Sequence, residues 1–158
     1  MDPARPDAVP RGLKGSPTLA VSWNPRLAIG EPTIDAQHQE LFLRVDALLV
    51  AMRTGGGRAQ LEETFTFLQR YVLEHFQAEE ALMRETAFPH LAEHRASHEE
   101  LIVKLVGIEE ALRAHGPCSS QVLNAGALLC EWLREHVAEA DLEFGRHLAA
   151  ARRERVTA

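Results

Sequence analysis

The chain has 158 residues, with 17 basic and 23 acidic side chains for a net charge of −6, and is 46% apolar and 25% charged. These are the proportions of a single ordinary globular domain, and the acidic balance excludes a nucleic-acid surface and a polybasic membrane patch. Apolar runs stop after six residues, as at 47–52, far short of the roughly 18 that a membrane span needs.

Residues 1–20 hold four of the eight prolines and no apolar stretch, which predicts a disordered tail without a secretory signal. Residues 21–33, with Trp23, Pro25 and Pro32, read as an extended N-terminal arm. Turn and breaker residues then fall at 54–57, 88–89 and 115–119, dividing the rest into pieces at about 34–53, 58–86, 89–114 and 119–150. Residues 151–158 are expected to form a short C-terminal tail.

Each piece carries an apolar stripe with steps of four and three. The first is Ile34, His38, Leu41, Val45, Leu48, Met52, and the second Leu61, Phe65, Leu68, Val72, His75, Glu79, Leu82. The third runs Leu91, His94, His98, Leu101, Leu105, Ile108, Leu112. The fourth is less regular: Val122, Gly126, Leu129, Leu133 and His136, with Asp141, Phe144 and Leu148 on an adjacent line. This alternation is the 3.5-residue period of left-handed bundle packing. The expected fold is all-α: an antiparallel up-down-up-down four-helix bundle over residues 21–150, extended arm included.

Polar side chains interrupt those stripes. His38, His75, Glu79, His94, His98 and His136 occupy positions that otherwise bury Leu, Ile, Val and Phe. One buried imidazole is unremarkable. Five of them with a carboxylate would each cost on the order of 1–3 kcal/mol if unpaired, and a bound cation compensates most economically. The topology gives an independent check, because the start of the first helix, the end of the second, the start of the third and the end of the fourth share one end of such a bundle. All these residues, and Asp141, fall towards that end. His75 and Glu79, like His94 and His98, are spaced i, i+4 and point the same way. His136 and Asp141 are spaced i, i+5, about 140° apart on a regular helix, so a π-bulge is needed to bring them together.

Seven donors are too many for one transition ion. Imidazoles with carboxylates suit iron best, ahead of zinc, manganese or copper. Two six-coordinate irons sharing both carboxylates and one solvent-derived oxygen leave one terminal position that the five histidines do not fill, where a small molecule could bind.

The stripe residues and their neighbours form four short motifs: Trp23, Gly30 and Ile34-Asp35-Ala36-Gln37-His38; His75-Phe76 followed by Glu79-Glu80 and Met83; Pro89 with His94 and His98; Trp132-Leu133 with His136 and Asp141. Together they resemble the bacterial hemerythrins over about residues 21–150. The resemblance implies one iron held by His94, His98 and His136 and another by His38 and His75. Glu79, Asp141 and an oxo or hydroxo oxygen would bridge them, and O2 would bind on the two-histidine iron. Trp132 and Leu133 match positions that line the family's O2 pocket. Leu142 stands where the family often has lysine, and Phe144 where tyrosine is frequent; neither is expected to disturb ligation.

Several residues carry no functional expectation. His90 and His115 belong at exposed helix ends, His147 lies off the stripe, Glu80 turns away from Glu79 into solvent, and Trp23 caps the core. Cys118 and Cys130 show no metal-binding or disulfide spacing and read as reduced thiols of a cytoplasmic protein. The expected function is reversible O2 binding without turnover, for storage, delivery or sensing. A Glu-x-x-His pair, the mark of carboxylate-rich di-iron oxidases, is absent from the sequence. Iron handling, nitric-oxide or peroxide scavenging, or redox sensing through a partner protein would use the same site, and the sequence leaves these alternatives open.

Overall fold

The computed structural model describes residues 22–56 and 58–157; the tail expected at 1–20 lies outside them. A one-turn 3-10 helix, Pro25–Leu27, leads into α1 (Pro32–Thr54), α2 (Arg58–Glu85), α3 (Leu91–His115) and α4 (Ser120–His136). A π-helical turn, Val137–Asp141, joins α4 to α5 (Leu142–Thr157), so α4, the turn and α5 form one continuous fourth rod. α1 packs beside α2 and α4, and α3 beside α2 and α4. This closed antiparallel arrangement is the bundle anticipated from the stripes.

The helix ends follow from the local sequence. Pro32 opens α1, where a missing N–H costs nothing. Asp35 in that first turn accepts from the backbone N–H of Ile29 at 2.7 Å and of Gly30 at 3.1 Å, tying the arm onto the bundle. Gly55 ends α1 in the left-handed conformation at φ 68°, its N–H donating to Ala51 O. The Ser119 hydroxyl caps α4 by accepting from Val122 N at 3.2 Å. The fourth rod outruns the boundary expected at 150 and continues to Thr157. No breaker intervenes, and Arg152 ties the extension to Glu31 and donates to Gly30 O at 2.8 Å.

The apolar interior comes in two parts. A large core includes Leu41, Val72, Leu101 and Leu133, while a smaller one at one end comprises Ile29, Ile34, Met83, Phe88, Phe144 and Leu148. Along each rod the polar stripe residues lie between these parts, one turn from an apolar residue on either side. The packing thus places them in a dry layer near one end of the bundle.

Candidate metal centre

All seven stripe residues converge in that layer, and none is more than 7% exposed. Donor atoms of Glu79, His94, His98, His136 and Asp141 lie within 4.8 Å of one another, as do those of His38, His75 and Glu79. The two groups share Glu79. Asp141 also joins them: its Oδ2 is 3.1 Å from His38 Nε2, while Oδ1 is 3.1 Å from His136 Nε2 and 3.3 Å from His94 Nε2. Glu79 Oε2 stands 3.2 Å from His94 Nε2, 3.3 Å from His98 Nε2 and 3.9 Å from His75 Nε2. Each carboxylate therefore faces both sets of imidazoles, the placement required of a bridge between two ions.

The π-turn explains Asp141. On a regular helix a residue five after His136 would point well away from it. The wider π-turn over Val137–Asp141 brings the carboxylate back under the ring.

The outer edges of the rings fix their orientation. His75 Nδ1–H donates to Gln37 Oε1 at 3.1 Å and His98 Nδ1–H to Glu80 Oε1 at 3.2 Å, and His136 Nδ1 shares a hydrogen bond with the Ser97 hydroxyl at 2.9 Å. A ring that donates through Nδ1 presents the Nε2 lone pair inwards, as a metal ligand must. Glu80 is thus no solvated side chain, contrary to expectation. It is 14% exposed and anchored by Arg84 and Arg95 as well as His98. Phe76 stacks on His98 with 3.6 Å between centroids and 6° between planes. These supporting residues stood within the quoted motifs, but stripe periodicity identifies only the side chains on the inner face and passes over their neighbours.

Charge follows the geometry. Burial dominates at His75 and holds its imidazole down to about 4. At His38 burial also opposes protonation, but the adjacent Asp141 carboxylate outweighs it and the pKa is raised; Glu79 does the same for His94. Burial pushes the Asp141 carboxyl up, and His136 and His38 pull it well below the usual range. Glu79 is lowered too, its contacts with His94 and His98 overcoming burial and the charge of Asp141. Both carboxylates are therefore anions in a dry layer.

Fit to a cation can be judged from the unpaired atoms. Among the described residues, the buried side-chain polar atoms without a hydrogen-bond partner are His38 Nδ1 and Nε2, Glu79 Oε1, His98 Nε2, His136 Nε2 and both oxygens of Asp141. Every one belongs to this cluster. Unsatisfied buried groups are rare in folded proteins and call for an explanation, and a pair of iron ions held by five imidazoles and two anions supplies it. His94, His98 and His136 would hold one ion, His38 and His75 the other, with Glu79 and Asp141 between.

Trp132 and Leu133, expected beside an open position on the two-histidine side, separate in the structure. Trp132 stacks on His136, 4.4 Å between centroids with 12° between planes, and so lies against the three-histidine group. Leu133 is 4% exposed within the large core. Trp23 does cap the core, meeting Phe42 edge-on at 5.8 Å, but it also comes within 6.1 Å of the His38 ring. His90 is exposed beside Glu143, and His147 reaches the Thr86 carbonyl at 2.8 Å, so neither joins the cluster.

A helical bundle with a histidine-rich, carboxylate-bridged donor set defines a non-haem di-metal protein of the cation-binding bundle class. More particularly, residues 30–148 match the family described as Hemerythrin HHE cation binding domain, and the chain belongs to that family. It is 29% identical over 128 residues to a bacteriohemerythrin of Stenotrophomonas maltophilia, covering 81% of each chain. A bacteriohemerythrin of Methylococcus capsulatus is 27% identical over 116 residues, 73% of this chain and 86% of the relative. The solved structure of wild-type hemerythrin superposes with a TM-score of 0.64 at 26% identity, over 74% of this chain and 88% of that one.

Proposed function

We propose that the chain binds molecular oxygen reversibly at a di-iron centre held by His38, His75, Glu79, His94, His98, His136 and Asp141, as a carrier, store or sensor rather than a catalyst. The observation that carries this reading is the balance of the donor set: five imidazoles against two carboxylates, all in a layer closed above and below by apolar side chains. Iron held in such a set would supply the reversible two-electron chemistry that O2 binding needs. The protein's own part is to hold the rings in place through Gln37, Glu80 and Ser97. It also keeps water from the centre through Leu41, Val72, Leu101 and Leu133 on one side and Ile34, Met83, Phe88 and Phe144 on the other. Dry walls favour reversibility because they deny the bound gas the protons that would carry it off as peroxide.

Two free cysteines, one of them buried, suit a reducing compartment, and the proposed location is the cytoplasm. No helix among the described residues is long and apolar enough to cross a membrane.

The test is an optical titration. The anaerobic iron-loaded chain should develop a charge-transfer band in air and lose it on removal of O2, over repeated cycles. A single irreversible oxidation, or steady consumption of peroxide or nitric oxide instead, would refute reversible carriage.

A further inference from the structure

We propose that Trp23, carried on the N-terminal arm, is the positioning residue of His38, and that through it the arm fixes the metal position built on His38 and His75; this rests on the di-iron reading above. The imidazoles are not all held alike. His75, His98 and His136 each have a side chain bonded to Nδ1, from Gln37, Glu80 and Ser97. His38 has no such partner. It is fully buried, and it supplies the only Nδ1 among the buried side-chain atoms of the described residues that lack a hydrogen bond.

A ring with no bond on its outer edge keeps its orientation only where packing locks it. Inside the cluster His38 faces Asp141 Oδ2 at 3.1 Å and meets the His75 ring at 4.7 Å, with 68° between planes. The remaining aromatic neighbour is Trp23, 6.1 Å away and tilted by 35°, within the range over which aromatic rings pack. Trp23 is held in turn by Phe42, one turn beyond His38 on α1, which it meets edge-on at 5.8 Å. A rigid indole against both side chains keeps the Nε2 of His38 directed at Asp141. Packing thus takes the place that hydrogen bonds have at the other rings.

The arm is arranged to keep Trp23 there. Trp23 and Leu27 pack against the large core and Ile29 belongs to the small one, so the arm crosses the ligand layer beside α1. Its far end is tied down three times. Asp35 accepts from the Ile29 and Gly30 amides, and Arg152 bonds to Gly30 O and Glu31. Gly145 leaves room for the Ile29 backbone, 3.0 Å from where a Cβ would stand. Between these ties and Trp23 lies one 3-10 turn, Pro25–Leu27, capped by Asn24. Movement of the arm therefore reaches the centre at His38.

The test titrates the full chain, stripped of metal, anaerobically with cobalt(II) and follows the visible bands of the bound ion. Wild type should bind two equivalents. Trp23→Ala should bind one of them as wild type does and the other at least about tenfold more weakly, the loss usual when a ligand's supporting partner is removed. Trp23→Phe, which keeps an aromatic wall, should recover most of that loss. In a His38→Ala background, where the position already lacks its ring, Trp23→Ala should change nothing further. Both equivalents weakened alike, wild-type binding by Trp23→Ala, no recovery in Trp23→Phe, or further weakening in the His38→Ala background would each overturn the proposal. If Trp23→Ala does not fold, Arg152→Ala decides. It loosens the arm at its far end and should weaken the same equivalent about two- to fivefold, whereas wild-type binding of both equivalents overturns the proposal. A wild-type chain that takes up only one cobalt ion would instead refute the two-ion reading itself.

Discussion

Glu80 Oε1 accepts from His98 Nδ1–H at 3.2 Å, while the preceding residue, Glu79, turns its Oε2 to the Nε2 of the same ring at 3.3 Å. Consecutive carboxylates thus grip one imidazole from both edges. The inner one faces the candidate metal position and the outer one sets the ring, itself held by Arg84 and Arg95. Loss of such an outer partner commonly weakens metal binding 10–100-fold. Glu80→Ala is therefore expected to fold, and to lose iron to a chelator at least about tenfold faster than wild type. An unchanged rate of loss would show that Phe76, stacked on the same ring, orients His98 unaided.

The π-turn makes a second prediction. Val137–Asp141 accommodates one more residue than a regular helical turn would, and such turns are rare and often mark functional sites. Deleting Ala138 should let the fourth rod run as an unbroken α-helix, with Asp141, Phe144 and Leu148 kept near the inner face at the new i, i+4 spacing. The metal-free deletion variant should be at least as stable as wild type in thermal unfolding but hold clearly less than two irons per chain. Full iron content with wild-type affinity would mean that the turn is incidental to ligation.

These two sites also mark where the sequence was readable and where it was not. The 4-3 stripes carry the bundle and six of the seven candidate ligands because burial on an inner face leaves a periodic trace in the sequence. Asp141 was recovered only with a bulge that periodicity alone does not specify. Glu80, Gln37 and Ser97 act sideways from the stripes, through hydrogen bonds whose partners lie 18, 38 and 39 residues away, and no local pattern encodes such pairings. Trp132, beside Leu133 in sequence, stacks on His136 while Leu133 lies in the large core, because adjacent helical residues diverge by about 100°.

Protonation of the metal-free site gives a third prediction. His38 and His94 have raised pKa values, so at pH 7 they hold more proton than free imidazoles would, whereas His75, at about 4, holds none. A metal needs the neutral ring, so ferrous ion must displace those protons and its affinity should rise with pH through neutrality. Anaerobic calorimetry at pH 7 in buffers of different ionisation enthalpy is expected to show release of about one to two protons per chain. Identical heats in all buffers would contradict it. For His75 the sign reverses: its depressed pKa contributes stability that is present above pH 6.5 and lost as the pH falls towards 4.

Two glycines separate backbone contact from side-chain contact. A Cβ on Gly145 would lie 3.0 Å from Ile29 Cα, Cβ and O, whereas one on Gly126 would meet the ends of Leu49 and Met52. The arm backbone cannot yield as a flexible methionine can. Gly145→Ala should cost about 1–3 kcal/mol by overpacking. Gly126→Ala should be close to neutral, since the better helix propensity of alanine offsets the small shift of its neighbours. Denaturant melts of both variants check the contrast, and equal stabilities would show that the arm is loosely seated over α5.

Leu133 lies one turn before His136 and in the apolar layer that closes the centre on its inner side. At 4% exposure, its truncation to alanine should cost about 2–5 kcal/mol, depending on how far the bundle collapses into the space. The space also admits water to a layer whose buried polar side chains, among the described residues, are the seven of the cluster. Leu133→Ala is therefore expected to keep two irons and still take up O2, since no donor atom is removed, yet to lose its oxygenated form to irreversible oxidation several-fold faster than wild type. The rate is read by mixing the reduced variant with O2 and following the decay of the charge-transfer band. Because Trp132 stacks on the three-histidine side, Trp132→Phe should leave that decay nearly unchanged. Should Trp132→Phe hasten the decay and Leu133→Ala leave it unaltered, water reaches the centre past Trp132 and His136 rather than through the core.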